Sequence, residues 1–164
     1  MLNRGEQNMA ILFIEDDEFR SMALREGLSI IGGYEVDFVE SAHKAVLMFS
    51  KTPYRYELII TDILMPHNNQ PVYRDFSIDN LFSDNRKGMY TGFKVILQIK
   101  AICKKLEIEP KIMVHSNIDD KTIAKILKTI NVNVSRIIAK PRNLEYFLKE
   151  VKDVLQNSSS SEKK

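Results

Sequence analysis

Residues Glu57 to Pro66 read ELIITDILMP, a run of apolar and β-branched residues that stops on an aspartate and then resumes. A continuous apolar run of this length suits a strand covered on both faces, the usual condition in parallel sheets. A carboxylate at the end of such a strand is costly unless something pairs with it. Asp62 therefore marks a candidate site, and the rest of the chain must supply its partners.

The same alternation of strand and helix extends on both sides. Ala10 to Ile14 (AILFI) is a second short apolar run, and it ends on Glu15, Asp16 and Asp17. Residues 18–31 carry Phe19, Met22, Ala23, Leu24, Leu28 and Ile31 near helical period, with Gly32 and Gly33 to close the helix. Tyr34 to Val39 alternates like a strand near an edge, and Ser41 can cap a second helix that turns Ala45, Val46, Leu47 and Phe49 inward as far as about Lys51. Tyr56 to Thr61 is the third strand. Further on, Gly92 to about Leu106 reads as a helix, Lys111 to His115 as a strand, and Asp119 to about Ile130 as a helix with Ile123, Ile126, Leu127 and Ile130 on one side. Arg136 to Ala139 is a fifth strand, and a last helix from about Asn143 to Leu155 aligns Leu144, Phe147, Leu148, Val151 and Leu155. Five strands alternating with five helices predict an α/β fold, a doubly wound parallel sheet, because right-handed crossovers put helices on both faces.

With 164 residues and 44% hydrophobic content, the chain suits one domain over 9–156, between an N-terminal extension at 1–8 and a low-complexity, disordered tail at 157–164, NSSSSEKK. The 24 basic and 22 acidic residues leave a net charge of +2, which is not the concentrated basic face that a phosphate backbone demands, so no direct nucleic-acid partner is expected. No apolar run approaches the roughly 20 residues that span a bilayer, and MLNRGEQNM is no signal peptide. The expectation is a cytoplasmic protein with no membrane contact. Cys103, the single cysteine, lies on a helical stripe with Ile96, Ile99 and Leu106 and reads as a buried small hydrophobe.

In doubly wound sheets ligands sit at the carboxyl ends of the strands. That rule brings Glu15, Asp16, Asp17, Asp62, Ser116 and Lys140 to one edge. Several carboxylates in one pocket repel each other, and a hard divalent cation with oxygen ligands resolves the conflict; Mg2+ is the natural candidate. One acid can then attack phosphorus while a metal and an ammonium cancel the phosphoryl charge and a hydroxyl donates a hydrogen bond. Asp62, Lys140 and Ser116 fit those roles. Taken singly, each has a plainer reading: the Glu15 to Asp17 acids favour the first turn of a helix, Asp62 a turn, Ser116 a cap with Asn117, and Lys140 the surface. Their joint occurrence at the ends of four strands favours the site.

At these residues the sequence resembles the receiver domain of two-component response regulators, over about residues 9 to 155. The resemblance rests on ILFIEDD, IITDILMP, IMVHS and IIAKP in that order. It implies the flavodoxin-like receiver fold with strand order 2-1-3-4-5. Glu15 and Asp16 become the acidic pair that holds magnesium, with Asp17 adjacent. Asp62 becomes the phosphoacceptor, loaded by a histidine kinase or phosphotransfer protein, and the backbone carbonyl of Leu64 completes the metal ligands. Ser116 is the hydroxyl that moves toward the phosphoryl group, Lys140 is its ion pair, and the Lys140-Pro141 bond is expected cis. The resemblance implies a signalling domain rather than an enzyme, with slow self-dephosphorylation. Phosphorylation would switch a face of the fourth helix, fifth strand and fifth helix toward an unknown downstream protein. With no output domain after residue 155, a stand-alone receiver is expected. The competing readings are a non-phosphorylated pseudo-receiver and a magnesium-dependent phosphohydrolase, the latter disfavoured because Leu64 stands where a second acid belongs.

The sequence departs from the receiver pattern in three places. Ile137 replaces the aromatic residue often found three positions before the lysine, and Leu64 puts an apolar side chain two residues after the acceptor. The third is a long insertion at 67–91, HNNQPVYRDFSIDNLFSDNRKGMYT, holding Tyr73, Phe76, Phe82 and Tyr90 with Ile78 and Leu81. Ser77 can cap a short helix over IDNLF. Two readings stand: a segment folded over the site, or a tolerated excursion, since doubling a loop costs only about 0.6 kcal/mol. His43, His67 and His115 share no metal-ligand spacing; His67 is nearest the site, and His115 is expected to be a strand residue with a hydrogen-bonded ring.

Overall fold

Five short strands pair in parallel, in the spatial order second, first, third, fourth, fifth, and the most continuous apolar runs lie at the centre of the sheet. The computed structural model describes residues 10–66 and 90–156. The expected extension at 1–8, the tail at 157–164, the short helix after Ser77, His67 and all of the insertion except Tyr90 and Thr91 lie outside the described residues. The strands are β1 (Ala10–Ile14), β2 (Glu35–Val39), β3 (Tyr56–Thr61), β4 (Lys111–Ser116) and β5 (Arg136–Ala139). The helices are α1 (Glu18–Glu26), α2 (Ala42–Lys51), α3 (Thr91–Leu106), α4 (Asp120–Thr129) and α5 (Leu144–Gln156). This is the doubly wound flavodoxin-like arrangement that the sequence predicts.

Alternation along each strand divides the core in two. Ala10, Leu12, Ile14 and Ile59 face α2, α3 and α4, where Phe49, Phe93, Ile99 and Ile123 are fully enclosed. Ile11, Phe13, Leu58 and Ile60 face the other way, against Leu28 and the Phe147, Val151 and Val154 ridge of α5. Cys103 is buried in the first layer, as expected, although Leu106 at the end of its stripe is 37% exposed. Ser41 caps α2 by accepting from Lys44 N at 3.3 Å.

Two helix faces depart from the sequence reading. In α1 only Leu28, in the turn that follows it, is fully buried; Phe19 is 87% exposed, and Met22 and Ile31 also face outward. Apolar residues occupy so many positions of this helix that periodicity alone could not say which side faces the sheet. The helix ends through a wider π-type turn, Gly27–Ile31, in which Gly32 N donates to Gly27 O at 3.0 Å, and this turn shifts the register of the last apolar residues. In α2, Leu47 is likewise exposed, opposite the buried Ala45 and Phe49.

The chain leaving β3 and the chain entering α3 are clamped together. Met65 and Tyr90 form an isolated parallel bridge, Thr91 Oγ1 donates to Met65 O at 2.7 Å, and Gly92 N donates to Ile63 O at 3.2 Å. A Cβ at Gly92 would lie 2.0 Å from the backbone oxygen of Asp62, so glycine is required by this close approach. Both roots of the insertion thus rest directly on the loop that carries Asp62.

Candidate functional site

Glu15, Asp62 and Lys140 each stand one residue past the end of a strand, yet their backbones continue the ladder. Glu15 N donates to Val39 O at 3.1 Å, Asp62 N to Ile14 O at 3.0 Å, and Lys140 N to Ser116 O at 2.8 Å. The sheet itself therefore aims these side chains at one another. Lys140-Pro141 is a cis peptide, as expected.

Asp62 is only 4% exposed and its carboxylate is fully engaged. Oδ1 accepts from Ile63 N at 2.5 Å, Leu64 N at 3.0 Å and Ser116 Oγ at 2.5 Å. Oδ2 accepts from Lys140 Nζ at 2.8 Å, and the same ammonium also donates to Glu15 Oε2. Burial opposes the charge of Lys140, but Asp62 and Glu15 outweigh it and hold the ammonium above its usual range. Ser116, buried, is committed to Asp62; α4 is capped instead by Asp119, whose carboxylate accepts from Thr122 N at 2.9 Å.

Glu15, Asp16 and Asp62 each offer a carboxylate oxygen, all within 4.8 Å of one another. Burial pushes Glu15 up to about 7, with Lys140 pulling it down and Asp62 pushing it further up. Burial likewise raises Asp16, with Asp62 adding to the effect. One ammonium among three carboxylates leaves negative charge uncompensated in a poorly solvated place, and the donor set is oxygen throughout. That is the chemistry of a hard divalent cation site, and these residues fit Mg2+. Leu64 is half-buried beside them and is tied to Asp62 by its N–H. Asp17 is not part of the cluster: it is the N-cap of α1, accepting from Arg20 N at 2.9 Å. A cleft of about 580 Å³ opens beside the acids, lined by Asp16, Asp17, Glu18, Phe19, Met22 and Arg25.

His115 corrects the sequence reading. The residue is buried in β4, but neither ring nitrogen has a hydrogen-bond partner among the described residues. Its ring lies 5.0 Å from that of Phe147, and burial, with Lys140 nearby, pulls it down to about 4. It is a neutral aromatic spacer under α5. The contact of Lys140 with Glu15 was not foreseen either; the only signal for it was that both residues end strands of one sheet. Ile137, in the place of the usual aromatic, is half-buried on β5.

No protein-family model matches the chain, and no curated protein matches it by sequence. Comparison with solved structures is decisive for the fold. A response regulator receiver domain protein from Clostridium thermocellum aligns over 92% of this chain and 97% of its own, with TM-score 0.63 and 15% identity. A chemotaxis protein of Vibrio cholerae covers 90% and 98%, with TM-score 0.61 and 20% identity. The non-phosphorylated HemR receiver domain of Leptospira biflexa covers 91% and 95%, with TM-score 0.65 and 20% identity.

Proposed function

The fold is that of response regulator receiver domains, and from it we propose that the chain is a phosphoacceptor signalling domain. Asp62 accepts a phosphoryl group from the phosphohistidine of a histidine kinase or phosphotransfer protein. The observation that carries this reading is the pairing of both Asp62 oxygens with groups from two other strands, the Ser116 hydroxyl and the Lys140 ammonium, beside the Glu15 and Asp16 acids.

In the transfer, an Asp62 carboxylate oxygen forms a bond to phosphorus while the bond from phosphorus to the donor imidazole nitrogen breaks, its electron pair staying on nitrogen. Lys140 stays within reach of the new phosphoryl oxygens, and Ser116 moves its hydrogen bond from the carboxylate to one of them. Glu15, Asp16, Asp62 and the Leu64 carbonyl would hold Mg2+, which when bound supplies positive charge against the phosphoryl oxygens. The exposed Phe19 and Met22 on the rim of the adjacent cleft offer the donor protein an apolar foothold. Water releases the phosphoryl group slowly, so the protein is a switch rather than a turnover enzyme. Its single cysteine and the absence, among described residues, of a helix long and apolar enough to cross a membrane suit a cytoplasmic role.

Intact mass after incubation with acetyl phosphate and Mg2+ tests the proposal. One added phosphoryl group is expected, absent in Asp62→Asn and absent without magnesium. No adduct, together with no binding of beryllofluoride, would overturn it in favour of a pseudo-receiver.

A further inference from the structure

The chain that leaves β3 spends nearly every carbonyl it has. Asp62 O accepts from Thr61 Oγ1 at 2.8 Å, Ile63 O accepts from Met65 N and from Gly92 N, each at 3.2 Å, and Met65 O accepts from Thr91 Oγ1 at 2.7 Å. Among the described residues, Leu64 O alone in this stretch has no donor. Part of the reason is covalent. Leu64 O and Met65 N belong to one trans peptide unit, in which C=O and N–H point opposite ways. Met65 N is aimed at Ile63 O, so Leu64 O is turned away from it.

The rest of the reason lies at the start of α3. Thr91 is buried, and the hydroxyl it carries is turned to the loop, although α3 begins without a side-chain cap at Tyr90. Asp62 apart, Thr91 is the only residue whose side chain bonds the backbone of 63–66 among the described residues. Pro66 has no N–H, so the peptide unit it shares with Met65 can be held only through the Met65 carbonyl. Gly92 holds the carbonyl before Leu64 and Thr91 holds the carbonyl after it. The free carbonyl therefore sits between two that α3 has fixed.

We propose that Thr91 is a positioning residue of the cation site: its hydroxyl holds the Met65 carbonyl and thereby keeps the Leu64 carbonyl available as an oxygen ligand beside Glu15, Asp16 and Asp62. This rests on the Mg2+ site of the phosphoacceptor reading and adds to it a residue far along the chain. Thr91 itself touches none of the acids; it acts only through the loop. Losing the hydroxyl leaves a carbonyl in a poorly solvated place without that donor, and the loop then gains by turning toward another one.

The test uses the full chain and Mg2+ alone, titrated by calorimetry and by the amide shifts of Asp16 and Met65. Thr91→Val keeps the shape and removes the hydroxyl, and Mg2+ affinity is expected to fall about tenfold, as when a group that orients a metal ligand is lost. Thr91→Ser, which returns the hydroxyl, should restore most of it. Val154→Ala, a buried truncation on α5, should lower stability and leave Mg2+ affinity unchanged. Native affinity in Thr91→Val would overturn the proposal, and so would an equal loss in Val154→Ala or no recovery in Thr91→Ser. Where Thr91→Val does not fold, hydrogen exchange on the native chain decides: saturating Mg2+ should slow the Gly92 amide several-fold more than the amides of α5, and equal slowing would overturn the proposal. Intact mass after acetyl phosphate on the same samples separates the two readings. A chain that binds Mg2+ and takes a phosphoryl group with or without the Thr91 hydroxyl sinks the positioning role alone. A chain whose Mg2+ affinity depends on that hydroxyl but that takes no phosphoryl group sinks the acceptor reading alone.

Discussion

The two ends of the parallel sheet each hold a cation between two acids, and they hold it under opposite conditions. At the amino end, Arg55 reaches Glu35 at 2.5 Å and Asp37 at 3.0 Å, with side chains 39%, 48% and 31% exposed. At the carboxyl end, Lys140 bridges Glu15 and Asp62, and the three are 16%, 5% and 4% exposed. Each cation bridges two carboxylates, but water screens the surplus acid at the first end and is largely excluded from the second, where Asp16 adds a third carboxylate. Burial, not composition, turns the second cluster into a place that calls for another cation.

Removing the cation at each end tests this contrast most directly. In metal-free buffer at pH 8, Lys140→Met should lose about 4 kcal/mol of stability in urea unfolding, because two buried carboxylates are left unpaired. Mg2+ should restore more stability to this variant than to the native chain. A loss below about 1 kcal/mol would mean that burial does not distinguish the two clusters.

Crowding is the second difference, since the carboxyl end is also where backbone meets backbone. Gly92→Ala should cost about 3 kcal/mol, because the new methyl meets the Asp62 and Ile63 backbone and no flexible side chain can yield. The phosphoryl uptake proposed for Asp62 should fall with it, and an unchanged melting temperature would show that the clamp on the Asp62 loop can yield.

Burial near the carboxyl end also leaves a trace in pH. His115 titrates at about 4 in the fold and near 6.5 when unfolded, so the unfolded chain binds the extra proton between those values. Its contribution is intact above pH 6.5 and is lost as pH falls toward 4, about 3 kcal/mol across the window. His115→Leu should remove that part of the acid limb in pH-dependent unfolding, with stability at neutral pH equal or higher. An unaltered acid limb would mean that the ring finds a partner.

The smallest effect belongs to the amino end. Arg55→Ala should cost less than about 1 kcal/mol, shrinking further in high salt, because exposed ion pairs contribute little. A larger loss would erase the contrast between the two ends.

The site was legible because each of its residues terminates a run that could only be a buried strand. The bounds of β3 and β5 agree with the sequence reading residue for residue, and Glu15, Asp62, Ser116 and Lys140 follow from where the runs stop. Short apolar strands carry this information locally, since both faces must be covered. Helix faces were legible only where apolar residues were sparse enough to define one stripe. In α5 the buried Phe147 and Val151 were foreseen, whereas in α1 the excess of apolar residues hid the exposure of Phe19 and Met22.

The sequence by itself determined the order of elements, the parallel sheet and the identity of the acids at its carboxyl edge, because strand covering and crossover handedness are local constraints. Only the tertiary structure decided that one lysine is shared by Glu15 and Asp62, that Asp17 caps a helix instead of joining them, and that His115 lies without a polar partner among the described residues. Those facts depend on distances between strands that are not neighbours and on how a helix turns over the sheet, and such distances exist only once the chain has closed.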